Sequence, residues 1–402
     1  MVTFARFHGE RGEPLDEGLA LFFPAPHSYT GEDVLELQGH GGTVVMRELL
    51  ARCLALGARL AEPGEFTRRA YLNDRLDLAQ AESVADLIDA ASAEAVRGAA
   101  RSLSGEFSRR VVSIGETLAE LRLHVEACID FPEEQIDPAD VAALRAKLAQ
   151  ARQVLTTLFA EARQGAVLRE GLVVLLIGEP NVGKSSLLNR LAGDEVAIVT
   201  AVPGTTRDFV RATISLDGVP IHLVDTAGLR DSPDEVERIG IARTWEAIGK
   251  AGAALLITDA SQPSPGHGSL ILSRLPPGLP IANVVNKVDL VGGPEGRLDR
   301  EGETHLRVSA LTGEGVSALR SWLLEAAGWQ PHGEGLFMAR QRHLAALQEA
   351  QDSLSNAAGN VQVFELFAED LRLAQLALGT ITGEVTADDL LGQIFSRFCI
   401  GK

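Results

Sequence analysis

Cysteine is scarce in this sequence. Cys53, Cys128 and Cys399 are three in 402 residues, odd in number and far apart. That spacing argues against a disulfide framework and fits a reducing, cytoplasmic setting. Positive charge is also short: 37 Lys and Arg stand against 55 Asp and Glu, a formal net charge of −18. The balance argues against a generally basic nucleic-acid binder while leaving room for a local basic surface. No apolar run approaches the length that spans a bilayer, so no membrane partner is expected. The first residues, Met1-Val2-Thr3-Phe4-Ala5-Arg6, lack an apolar signal core, so no secretory leader is expected. His40-Gly41-Gly42 has the look of an esterase oxyanion loop, but no G-x-S-x-G exists to supply a nucleophile, and that reading is discarded.

What is present suffices for two or three domains, with 46% hydrophobic residues. Residues 1 to about 70 read as a small mixed α/β piece. Leu19-Ala20-Leu21-Phe22-Phe23 and the alternating Val34-Leu35-Glu36-Leu37-Gln38 read as strands, and Thr43 opens a helix running to about Leu56. From about Leu76 to Glu170 the pattern is helical, with Leu76, Leu78, Ala79, Val84, Leu87 and Ile88 in one stripe. Leu118, Leu121, Val125 and Ile129 form a second, ended by Phe131-Pro132; Leu144, Leu148, Val154 and Leu158 form a third. Gly165 and Gly171 mark a junction. Residues 172–327 alternate strand and helix patterns, with strands expected at 172–177, 221–225, 253–258 and 281–285, which implies parallel βαβ units. Residues 335–402 are helical again, with apolar sets Leu371, Leu373, Leu376, Leu378 and Leu390, Leu391, Ile394, Phe395, Phe398. Two helical segments flanking an α/β domain suggest insertion of that domain into one helical domain.

Four motifs carry chemistry. Gly178-Glu179-Pro180-Asn181-Val182-Gly183-Lys184-Ser185-Ser186 fits G-x-x-x-x-G-K-[ST] between a strand and a helix start. Its backbone N–H groups and the helix N-terminus suit phosphate, Lys184 the outer phosphates, and Ser185 a magnesium ion. Asp225-Thr226-Ala227-Gly228 follows a strand, so Asp225 can hold magnesium through water and Gly228 can place an N–H at a γ-phosphate. In Asn286-Lys287-Val288-Asp289, the Asp289 carboxylate can accept from the ring N–H and amino group of guanine; adenine offers no such donor pair. Ser309-Ala310-Leu311 can complete the base pocket. Between the first two lies Thr200-Ala201-Val202-Pro203-Gly204-Thr205-Thr206, where a threonine can bind magnesium when the γ-phosphate is present; chemistry alone does not choose which. Leu229 stands where many GTPases carry a water-orienting Gln, so hydrolysis needs another polarising group, and Glu235 and Glu237 are candidates for the water.

At this point the chain resembles a known family, the bacterial and organellar tRNA modification GTPases called MnmE or TrmE. The resemblance runs from about Leu19 to Lys402. It rests on Tyr29-Thr30-Gly31-Glu32-Asp33-Val34-Leu35-Glu36, Gly39-His40-Gly41-Gly42, Pro63-Gly64-Glu65-Phe66-Thr67, Leu72-Asn73-Asp74 and Leu76-Asp77-Leu78-Ala79-Gln80-Ala81-Glu82. The GTPase motifs and the terminal Cys399-Ile400-Gly401-Lys402 complete it. It implies a multidomain α/β plus α fold: a Ras-like P-loop GTPase domain (171–328) inserted in a discontinuous helical domain (75–170 and 329–402), after a small N-terminal α+β folate-binding and dimerisation domain (1–74). It also implies that the family's chain begins further upstream, so that the first domain here is incomplete at its start and lacks a folate-contacting Arg.

The resemblance further implies potassium-dependent GTP hydrolysis by face-to-face pairing of two G domains. Asn181, Thr200, Val202 and Thr205 would contact potassium, and Ser185 and Thr206 magnesium. Glu237 would position water, with Lys184 and Cys399 as the other catalytic residues. Glu36, Arg75 and Lys402 would contact a 5-formyl- or methylene-tetrahydrofolate. Arg75 stands where the family often has Lys, which keeps the charge and changes the geometry. The implied assembly is a homodimer joined by the FAD-containing MnmG (GidA) subunit in a heterotetramer, installing an aminomethyl or carboxymethylaminomethyl group at C5 of the wobble uridine of certain tRNAs. A ribosome-assembly or regulatory GTPase is the competing expectation, since it would share the GTPase motifs without needing Glu36 or the terminal Cys-Ile-Gly-Lys.

Overall fold

The computed structural model describes residues 1–130, 138–193, 212–225, 249, 251–262, 275–300, 302–330, 335–384, 388–396 and 398. The chain divides into two units. One is Met1–Ile88, Arg101–Thr156 and Ala345–Lys402; the other is Asp89–Ala100 and Thr157–Leu344.

The first unit opens with β1 (Val2–His8), β2 (Pro14–Phe23) and β3 (Val34–Gln38), an antiparallel meander. The alternation in Val34–Gln38 predicts β3 to the residue. It does not reveal β1, whose Val2 and Phe4 are exposed while Phe7 is buried. Helix α1 (Thr43–Ala55) packs against β2. Helix α2 (Glu65–Leu72) is followed by α3 (Leu78–Asp89), whose start is a reciprocal cap: Gln80 N–H donates to Asp77 Oδ1 at 2.8 Å and Asp77 N–H to Gln80 Oε1 at 2.9 Å. Leu78 and Ala79 are buried there, but Ile88 is 43% exposed, at the end of the stripe.

Next come α4 (Ala93–Leu103), α5 (Glu106–Asp130) and α6 (Pro138–Glu170). In α5 the residues Phe107, Val111, Ile114, Leu118, Leu121 and Val125 are buried, one every three or four positions. Leu144, Leu148, Leu155 and Leu158 face the core of α6, whereas Val154 is 43% exposed; the stripe passes through its neighbour. Gly165 lies inside α6 and does not end it.

The sheet of the second unit has the order β5-β6-β4-β7-β8-β10-β9. These strands are β4 (Leu172–Ile177), β5 (Ala212–Leu216), β6 (Val219–Asp225), β7 (Ala253–Asp259), β8 (Ile281–Asn286), β9 (Gly296–Arg300) and β10 (Glu303–Arg307). The five central strands are parallel: the four that the alternating pattern predicts, and β10, which it does not include. Both edges depart from it: β5 runs antiparallel to β6 and β9 antiparallel to β10. β4 sits mid-sheet, and all its residues but Val173 are buried, as a two-sided parallel strand requires. Leu175, Ile177, Val224 and Ala254 make one core cluster. Gly171, between α6 and β4, takes φ 67°, and a side chain there would meet the Pro220 carbonyl oxygen at 2.1 Å, so the entry from α6 needs glycine. Helices α7 (Lys184–Ala192) and α8 (Val316–Ala326) belong to this unit.

After α9 (Gln341–Asn360) comes α10 (Phe364–Thr382), which packs on α5, so helices from before and after the sheet domain share one core. Its buried face is Phe367, Leu371, Ala374, Leu378 and Ile381; Leu373 and Leu376, expected in that set, are each 40% exposed because the 3.6-residue period turns them away. Helix α11 (Asp388–Phe395) follows. Ile394, Phe395 and Phe398 pack with Leu78 and Ala81, as the second apolar set predicts.

Candidate functional site

The carboxyl ends of the parallel strands carry the site, where open α/β sheets bind ligands. β4 ends at Ile177 and the loop Gly178 to Gly183 leads directly into α7. Gly183 is the residue before that helix, at φ 95°, and a Cβ there would meet Asn286 Nδ2 at 2.3 Å. Asn181 also takes a left-handed backbone, φ 68°. Lys184 is buried and its Nζ donates to the Gly178 and Glu179 carbonyls at 2.7 and 2.8 Å. The ammonium is thus held inside the curl of the loop, where phosphate oxygens would compete for it. Ser185 and Ser186 are exposed at the start of α7. Asp225 ends β6 in register with Leu176, one residue short of the end of β4, so its carboxylate belongs to the same edge as Ser185. A hydroxyl and a carboxylate on one edge are hard oxygen donors, a set that fits magnesium.

The base-recognition segment is tied to the phosphate loop by side chains. Asn286, 1% exposed, donates from Nδ2 to the Val182 carbonyl at 2.9 Å and accepts at Oδ1 from the Ala310 N–H at 3.0 Å. It therefore bridges three loops. Lys287 Nζ donates to the Asn181 carbonyl at 2.9 Å. Val288 is buried in the core. Asp289 Oδ1 accepts from the Ser309 hydroxyl at 2.6 Å, and that hydroxyl accepts from the Thr312 N–H at 3.1 Å. The carboxylate is aimed before any base arrives. Ala310 is buried and Leu311 is 76% exposed.

Two participants escape a motif reading. Arg190 on α7 donates to the Ala310 carbonyl at 3.0 Å and to that of Leu311, so the phosphate-loop helix holds the far side of the base pocket. Asp259, the last residue of β7, pairs with Lys287 at 2.6 Å. The Lys287 ammonium beside it, then the Ser261 hydroxyl and N–H, hold the Asp259 carboxyl at about 2. A depressed carboxyl of this kind stabilises fully above its ordinary value of 3.8 and loses that contribution as pH falls through about 2. The signal for Asp259 lies in the strand register, where it stands opposite Asn286.

The structure thus brings together Asn181, Val182, Gly183, Lys184, Ser185, Ser186, Asp225, Asn286, Lys287, Val288, Asp289, Ser309, Ala310 and Leu311 on one sheet edge. Thr200 to Thr206, Thr226, Ala227, Gly228, Leu229, Glu235, Glu237, Cys399 and Lys402 lie outside the described residues. Among the described residues no cluster of three or more His, Cys, Asp or Glu forms a metal site.

Comparison with known proteins decides what this edge belongs to. A family described as the MnmE helical domain matches residues 78–399, and one described as the GTP-binding protein TrmE N-terminus matches residues 1–75. A tRNA modification GTPase MnmE of Chromobacterium violaceum is 57% identical over 401 residues, covering 100% of this chain and 89% of that one. One from Neisseria meningitidis serogroup C is 59% identical over 404 residues, covering 100% of this chain and 90% of that one. The chain belongs to the MnmE family of tRNA modification GTPases. Its enzyme class is GTP hydrolase, and its fold is the expected one: a Ras-like domain within a discontinuous helical domain, after a small α+β piece.

The N-terminal piece of this MnmE chain holds the other two described candidates, Glu36 and Arg75. Glu36 lies on β3 opposite Leu21 and is exposed. Arg75 is exposed, its N–H donates to the Ala70 carbonyl at 2.8 Å, and its aliphatic stem lies beside Gly31. No hydrogen bond or ion pair joins the two among the described residues. The Tyr29 to Asp33 loop is fixed from below: Asn73 Nδ2 donates to the Thr30 carbonyl at 2.8 Å, the Tyr29 and Thr67 hydroxyls share a hydrogen bond at 2.9 Å, and Arg69 pairs with Glu32 at 2.8 Å. Arg59 and Arg69 together hold the Glu65 carboxyl well below the usual carboxylate range. This loop is therefore a built surface and not a loose turn.

Proposed function

We propose that this chain is a potassium-dependent GTPase that modifies C5 of the wobble uridine of certain tRNAs. It would work in the cytoplasm as a homodimer, with the FAD-containing MnmG (GidA) subunit in a heterotetramer and with a folate one-carbon unit. The observation that supports the nucleotide half is the oriented Asp289 carboxylate, tied through Asn286 and Lys287 to a phosphate loop with a left-handed Gly183. GTP would be held by that loop, by Thr200-Ala201-Val202-Pro203-Gly204-Thr205-Thr206, by Asp225-Thr226-Ala227-Gly228, and by Asn286 to Asp289 with Ser309 to Leu311.

Lys184 leaves its two loop carbonyls to stabilise charge developing on the outer phosphates. Ser185 and Thr206 would hold magnesium, and Glu237 would orient the attacking water that no Gln at position 229 can orient. Asn181, Thr200, Val202 and Thr205 would hold potassium. That ion supplies the positive charge that other GTPases take from an arginine. Glu36, Arg75 and Lys402 would recognise folate; a carboxylate suits the ring N–H and amino donors of a pterin. Cys399 would serve the tRNA-modifying chemistry. In domain terms, 1–74 binds folate and dimerises, 75–170 and 329–402 form the helical domain, and 171–328 hydrolyses GTP. No helix among the described residues is long and apolar enough to cross a membrane.

Steady-state GTP turnover in potassium and in sodium at equal ionic strength tests this reading. Removing one group that stabilises the charge developing in a transition state costs about 10²–10³ in rate. Turnover in potassium should exceed that in sodium by about that factor. Equal turnover in the two salts would show that no potassium takes part.

A further inference from the structure

The Asp259–Lys287 pair ties the end of β7 to the base-recognition segment, and Asp259 itself belongs to no nucleotide-binding motif. Its geometry is specific. The Lys287 ammonium has two acceptors, the Asp259 Oδ2 at 2.6 Å and the Asn181 carbonyl at 2.9 Å. Asp259 is itself fixed, since its Oδ1 accepts from both the Ser261 N–H (2.9 Å) and hydroxyl (2.7 Å). Its neighbour Ala260 donates its N–H to the Asn286 carbonyl at 2.8 Å. The Asp259 side chain is 13% exposed and that of Lys287 33%. Lys287 stands directly after β8 and takes a left-handed backbone, φ 65°. A pinned carboxylate thus pins an ammonium, and the ammonium pins the carbonyl of Asn181, whose backbone is left-handed.

We propose that Asp259 is a positioning residue for GTP hydrolysis: through Lys287 it fixes the Asn181 backbone, and so sets both nucleotide retention and the response to the monovalent cation. The inference rests on the potassium reading only in its second half. With the carboxylate removed, Lys287 keeps one acceptor and gains freedom to swing. The Asn181 carbonyl then loses its oriented donor, and the Asn181 side chain loses its fixed origin beside the cation.

Asp259→Asn isolates this effect. The amide oxygen still accepts from Ser261, so the turn is kept, while the amide nitrogen offers Lys287 a donor in place of an acceptor. On the intact chain, GDP release should quicken by about tenfold, and half-saturating potassium in GTP turnover should rise by about tenfold. That is the scale of one charge-assisted hydrogen bond. Turnover at saturating GTP and potassium should stay within about threefold of wild type, since no group at the reacting atoms is removed. Asp259→Glu, which keeps the carboxylate on a longer arm, should recover part of both shifts. GDP release and half-saturating potassium both within twofold of wild type would overturn the proposal, even if the melting temperature fell. So would an Asp259→Glu chain no better than Asp259→Asn, which would assign the effect to the turn. Equal wild-type turnover in sodium would remove the potassium reading separately, and GDP release alone would then decide the clamp.

Discussion

Asp289→Asn should lose GTP affinity by about 10³-fold and gain preference for the xanthine nucleotide, because buried donors left facing donors forfeit the full cost of their desolvation. The structure makes this substitution selective. An Asn oxygen can still accept the Ser309 hydroxyl that Asp289 accepts at 2.6 Å, so the pocket keeps its shape. What changes is the group presented to the base. A carboxylate accepts from both guanine donors, whereas an amide offers N–H groups to them. Xanthine carries a carbonyl where guanine carries its amino group and reverses the mismatch. Competition of GDP and XDP for a fluorescent guanine nucleotide measures the exchange. Unchanged GTP affinity would refute the assignment of the base pocket.

Gly183→Ala should weaken nucleotide binding by about 30- to 5,000-fold, through geometry instead of charge. A left-handed backbone costs an L-residue roughly 1–2 kcal/mol. The added methyl would also sit 2.3 Å from Asn286 Nδ2. Asn286 has little room to move, being 1% exposed and bonded to Val182 and Ala310 on either side. Breaking even one of those bonds leaves a buried polar group unpaired, at about 1–3 kcal/mol. The strain and the lost bond together give the stated range. Nucleotide titration beside a thermal melt separates the effect from unfolding; binding within about threefold of wild type would show that the Gly183–Asn286 packing does not shape the loop.

The sequence made some elements readable and hid others, for physical reasons. β4 is legible to the residue because a strand buried on both faces is a continuous apolar run, here bounded by Gly171 and Gly178. The edge strands are not. β9 reads Gly296-Arg297-Leu298-Asp299-Arg300, charged as edges are, and offers no apolar run. β5 alternates, with Ile214 and Leu216 buried, and closes on Asp217-Gly218, a hairpin turn; a scheme of parallel units passes over it. In α10, leucine is a poor guide to burial: Ala374 faces the core while Leu373 and Leu376 look outward. The same division runs through the site. Asn286, Lys287 and Asp289 announce themselves by local spacing. Asp259 and Arg190 act across strand register and across a helix, where no local pattern marks them.

The most direct test is displacement of a bound fluorescent guanine nucleotide from the intact chain by GTP or ATP, with magnesium present. A pocket built to pair with donors rejects a base lacking them by about 10⁴-fold, so ATP should be weaker than GTP by that order. ATP displacing the probe as readily as GTP would contradict the account.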